Sequence, residues 1–67
     1  MASEERFAAI KRLLERDGWI LERIRGSHHT FKKSGQRNII IPVHHGKVKP
    51  FYVKEVKKIL EGHPPTI

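Results

Sequence analysis

Three features of the sequence predict an α+β fold of order α-β-β-β-α, a three-stranded antiparallel sheet with two helices on one face. Apolar residues recur at helical spacing near both ends, β-branched residues gather in the middle, and glycine or proline stands at nearly every boundary. Together they describe one small two-layer domain.

The first helix is expected from Glu4 to Asp17. Ser3 can cap it, Glu4 and Glu5 suit the positive end of its dipole, and Phe7, Ile10, Leu13 and Leu14 form its apolar stripe. Gly18 supplies the stop. Trp19 to Ile24 reads as a first strand, Arg25-Gly26-Ser27 as a turn, and His28 to Lys33 as a second strand. Ser34-Gly35-Gln36 then makes a hairpin loop before a third strand, Arg37 to Val43, rich in β-branched residues. After the loop His44-His45-Gly46-Lys47, Pro50 opens a last helix, with Tyr52, Val53, Val56, Ile59 and Leu60 as its stripe and Gly62 as its end. A short disordered tail is expected from about residue 63, with the whole chain, 1–67, forming a single domain.

A chain of 67 residues buries only about 60% of its unfolded surface, so every large apolar group is needed for one core. Trp19, Phe7 and Phe31 are therefore assigned to it rather than to base stacking. The chain has no cysteine, which fits a reducing compartment. Its longest apolar run, Ile39 to Val43, falls far short of the roughly 20 residues that cross a bilayer, and no signal-peptide pattern opens the sequence. A cytoplasmic protein with no membrane partner is expected.

The formal net charge is +7, and its distribution is uneven. From Arg23 to Lys54 there is no carboxylate, only Arg23, Arg25, Lys32, Lys33, Arg37, Lys47, Lys49 and Lys54, with four histidines among them. Such a segment carries a positive field suited to a polyanion, with nucleic acid first among the candidates. Charge alone does not separate RNA from DNA or from an acidic protein.

Within that segment lies Gly26-Ser27-His28-His29-Thr30-Phe31. Histidine both accepts and donates protons near neutral pH, so an imidazole among cations joins phosphate binding to proton transfer. Side chains alternate along a strand. Phe31 defines the core side, so His29 falls on the helix-covered face and His28 on the open one. A bulge near Gly26 would exchange the two.

The chain resembles the HicA toxins of bacterial and archaeal toxin–antitoxin pairs. The likeness is carried by Asp17-Gly18-Trp19, Gly26 to Phe31, the β-branched third strand, Pro42-Val43-His44 and Ile59-Leu60, and covers nearly the whole chain to about Leu60. It implies a double-stranded-RNA-binding-like fold, metal-independent cleavage of mRNA with no cofactor, and neutralisation by a HicB antitoxin. The first histidine of the glycine-serine-histidine element is the catalytic one in that family, which carries over to His28. One departure stands out. The last helix of the family opens with a glycine-threonine pair after a lysine, whereas here Lys49 precedes Pro50-Phe51-Tyr52. Tyr52 or Lys54 would have to supply any phosphate contact made there.

The residues suit that chemistry. Metal-free cleavage requires a base for the 2′-hydroxyl proton and cations for the charge developing on phosphorus-bound oxygens. His28 is the candidate base and His44 a candidate second acid/base group. Arg25, Ser27, Lys32, Lys33, Lys47 and Lys49 are candidates for holding RNA phosphates, with Ser27 either donating a hydrogen bond or simply closing the turn. No metal site is expected, since thiolates are lacking and adjacent strand histidines diverge. The alternative is a non-catalytic double-stranded-RNA-binding module.

Overall fold

The computed structural model describes residues 3–67. In chain order the elements are β1 (Glu5–Arg6), α1 (Phe7–Arg16), β2 (Ile20–Arg25), β3 (His28–Lys32), β4 (Ile39–Pro42), β5 (Lys47–Val48) and α2 (Pro50–Leu60). Strands β2, β3 and β4 form the expected antiparallel meander, and the fold is α+β.

Two short strands are additional. Glu5 pairs with Val48 and Arg6 with Lys47, so β1 and β5 form a small antiparallel clasp in front of both helices. The first helix consequently starts later than its composition suggests. Arg6, in extended conformation, is its N-cap, no side chain caps it, and its first turn holds no acidic residue. Ser3 is therefore not the cap, and Glu4 and Glu5 lie before the helix; pairing with β5 takes precedence over capping. The third strand is likewise trimmed to Ile39–Pro42.

Both helices end as their glycines predict. After α1, Gly18 N–H donates to Glu15 and Trp19 N–H to Leu14, and after α2 Gly62 and His63 repeat the pattern on Ile59 and Lys58. These are Schellman closures, which satisfy carbonyls that the last turn would leave open. The first closure also seats Trp19. Its indole N–H donates to Asp17 Oδ2 (3.2 Å), and the same oxygen accepts from Lys33 Nζ (3.3 Å).

The core lies between the helices and one sheet face. Ile10 and Leu14 from α1, Val53, Val56 and Ile59 from α2, Phe31, Ile39 and Ile41 from the sheet, with Trp19 and Val48, are all buried. Full burial of side chains of this size contributes about 1.5–3 kcal/mol each, which is how ten of them sustain so short a chain. The opposite sheet face is bare, with Ile20 68% and Ile40 46% exposed. Past Gly62, where a loose tail is expected, the chain turns back instead. Pro65 is buried, Ile67 packs against the core, and the Thr66 hydroxyl donates to Glu55 Oε1 (2.8 Å).

Candidate nucleic-acid interface

The open face of the sheet is organised by cross-strand register. His28 on β3 stands opposite Arg25 on β2 and Pro42 on β4, and the next row on that face is Arg23, Thr30 and Ile40. His28, Arg25 and Arg23 are exposed, while Thr30 is 6% exposed between its two neighbours. Arg25 is thus the last residue of a strand, not part of the turn. The turn is Gly26-Ser27 alone, with positive φ (58°) at Gly26, the conformation that a two-residue hairpin favours at its first central position and glycine adopts without penalty.

A β-bulge decides which residues share this face. The register shifts between Leu21 and Arg23, leaving Glu22 unpaired. With unbroken alternation from Leu21 opposite Phe31, Glu22 and Ile24 would face outward with His28 and both arginines would face the helices. The extra residue reverses that order, setting Arg23 opposite Thr30 and Arg25 opposite His28. The bulge sits on β2 rather than near Gly26, so β3 keeps the alternation its sequence predicts. Arg23 is the residue that sequence reading overlooks here, because no local pattern announces a bulge at Glu22.

The two histidines have different surroundings. His29 is half-buried, its ring 4.5 Å from that of Phe7, and its Nδ1 lies 3.0 Å from the Ser27 carbonyl oxygen, to which it donates when protonated there. His28 is exposed and has no side-chain hydrogen bond among the described residues. The Ser27 carbonyl also accepts the Val43 N–H (2.7 Å), which ties the His28 turn to the end of β4. His44 follows directly. It forms an isolated bridge with Lys47, exchanging both backbone hydrogen bonds (3.0 and 2.9 Å) around His45 and Gly46. Both central residues have positive φ, 53° at His45 and 72° at Gly46. The Gly46 carbonyl accepts the Phe7 N–H (2.8 Å), so this turn is held against the start of α1.

The candidate cations divide into groups. Arg23, Arg25 and Lys49 have no carboxylate within 4.0 Å among the described residues. Lys32, on the same face as His28, is 3.9 Å from Glu22, and Lys47 is 3.8 Å from Glu4. Lys33 is engaged elsewhere. It follows the far end of β3, paired with Asp17 and 5.9 Å from the Trp19 ring centre, so it lies outside the cluster around His28. At the start of α2, Tyr52 packs partly against the core with Phe51 edge-on at 5.0 Å, and Lys54 is exposed. Among the described residues no three histidines or carboxylates converge as a metal-binding group. Among the described residues no helix is long and apolar enough to cross a membrane.

The chain is thus a small basic α+β domain that carries an exposed histidine and two exposed arginines on a bare sheet face. Residues 7–61 match the family described as HicA toxin of bacterial toxin–antitoxin, and the chain belongs to that family, the toxin half of such a pair with an antitoxin as its partner. Neither a curated protein nor a solved structure matches it.

Proposed function

We propose that the protein is a metal-independent endoribonuclease that cleaves mRNA in the cytoplasm, uses His28 as its general base, and is held inactive by a HicB-type antitoxin. The observation that carries this reading is the pairing of exposed His28 with Arg25 across the open face of a chain of the HicA family.

The chemistry follows from the residues. Arg25 draws a phosphodiester to the row that contains His28, and the His28 imidazole takes the proton of the adjacent ribose 2′-hydroxyl. The freed oxygen attacks phosphorus, the bond to the 5′-oxygen of the next nucleotide breaks, and the products are a 2′,3′-cyclic phosphate and a 5′-hydroxyl. The departing oxygen needs a proton, for which His44 is the candidate donor. Charge accumulating on the non-bridging oxygens is met by Arg25, with Lys32, Lys47 and Lys49 as further candidates for holding RNA phosphates. Ser27 closes the turn or donates to a phosphate oxygen. A double-stranded-RNA-binding-like arrangement of sheet and helices accommodates RNA in this reading through its phosphates and the 2′-hydroxyl.

His28→Ala tests it. Wild-type protein in EDTA is expected to cut mRNA to fragments ending in cyclic phosphate, and the variant to lose about 10²–10⁴-fold in rate, the usual share of one acid/base group. An acidic HicB-type partner, purified and added in stoichiometric amount, is expected to suppress the cutting by covering the positive face. Undiminished cleavage by the variant removes His28 as the base. Tight RNA binding with no cleavage under any condition favours the non-catalytic binding module.

A further inference from the structure

We propose that Arg23 is a second phosphate-binding residue, aimed by the Glu22 bulge so that it holds the phosphate next to the one at His28. Without the extra residue Arg23 would lie on the helix side of the sheet; with it, Arg23 stands on the open face one row from the His28–Arg25 pair. Two residues of the same strand on the same face lie about 6–7 Å apart. That spacing suits consecutive phosphates of an extended strand, whereas a diffuse positive field has no such period. Neither arginine has a carboxylate partner among the described residues, so both guanidinium groups can each present paired N–H donors to an anion. Beyond Arg23 the positive field weakens, because Lys32 has the Glu22 carboxylate at 3.9 Å. RNA would therefore run along β2 from the Gly26 turn and leave the sheet near Lys32. The position of the scissile phosphate rests on the endonuclease reading above; the binding role of Arg23 does not.

The discriminating variant moves the charge without removing it. Arg23→Ile combined with Ile24→Arg keeps composition and net charge but shifts the cation to the helix-side edge, where Ile24 is already 54% exposed, so the exchange is expected to leave the fold intact, which circular dichroism checks. The probe is a 2′-O-methyl RNA of about eight nucleotides, within the usual site sizes and uncleavable because its attacking hydroxyl is blocked. Affinity is measured across a range of salt for wild type, Arg23→Gln, the exchange variant, and Arg12→Gln on the exposed side of α1. Arg23→Gln and the exchange variant are each expected to weaken binding about three- to tenfold. Each should also lower the slope of log affinity against log salt by about 0.7, the signature of one lost single-strand phosphate contact. Arg12→Gln should leave the slope at the wild-type value. Retention of wild-type affinity and slope by the exchange variant overturns the proposal, since only net charge would then matter. Unchanged RNA binding with loss of affinity for an acidic antitoxin also overturns it, assigning Arg23 to a protein contact. Because the probe cannot be cut, failure of His28 as a base and failure of Arg23 as a ligand are read separately.

Discussion

The ring of His29 rests against Phe7 and its Nδ1 reaches the Ser27 carbonyl, whereas His28, one residue earlier, touches neither. His29→Ala should therefore destabilise the protein by about 1–3 kcal/mol through lost packing against Phe7 and the lost contact with the Ser27 carbonyl. His28→Ala should change stability by no more than about 0.5 kcal/mol. Urea unfolding of the two variants checks the contrast; equal costs would mean that His28 is also structural. Strand alternation made this division legible, because Phe31 marks the inward face two residues on. His45 is a different case. It has positive φ beside Gly46, and a β-carbon in that conformation costs roughly 1–2 kcal/mol. Asn-Gly is the preferred pair in such a turn, so His45→Asn should stabilise by about 0.5–1 kcal/mol and raise the melting temperature by a few degrees. A melting temperature that falls instead would show the imidazole stabilising the fold through contacts of its own.

At the scale of elements, the stops of both helices and the three-strand meander can be read from the sequence, because Gly18, Gly62 and the β-branched runs act locally. The clasp cannot be read this way. Two-residue strands such as Glu5–Arg6 and Lys47–Val48 have no periodicity, and they exist only because distant parts of the chain meet. The bulge at Glu22 is hidden for a similar reason, since its register is set by β3 rather than by its own neighbours. The seating of the last residues also depends on a partner far back in the chain. Thr66 donates to Glu55 and, as the largest influence, holds its carboxyl below the usual carboxylate range; desolvation opposes this, and Lys58 and Lys54 assist it. A carboxyl lowered in the folded state contributes stability above its unfolded value, about 4.3, and the contribution is lost as pH falls through the lowered value. Thr66→Val should thus be less stable than wild type at neutral pH, with the gap closing under acid. Thermal unfolding across that range measures it, and a gap that is constant with pH would assign the loss to packing alone.

Across the whole molecule, most paired carboxylates steady the scaffold. Glu15 pairs with Lys11, Asp17 with Lys33 and Glu55 with Lys58, all on or beside the helices; Glu22 reaches the open face at Lys32, while Arg23 and Arg25 stay unpaired there among the described residues. The carboxylate-free stretch from Arg23 to Lys54 revealed this positive character in advance, but it could not say which cations share a face. The distinction matters at Lys33, whose sequence neighbours resemble those of Lys32 and whose surroundings do not.

The pairing of β1 with β5 also has a bearing on the order in which the protein assembles. The meander is closed by short connections, whereas Glu5 must find Val48 near the other end of the chain, and closing so long a loop is entropically dearer and slower. The clasp should accordingly close after the transition state, when the sheet already exists. Val48→Ala is expected to accelerate unfolding with little effect on the folding rate, and Phe31→Leu to slow folding; stopped-flow chevrons distinguish them, and equal slowing by both would reverse this sequence of events. The turn from His44 to Lys47 shares Lys47 with the clasp, through its pairing with Arg6. A newly made chain is then expected to form its sheet before the clasp, which joins the two ends of the fold in a single late closure.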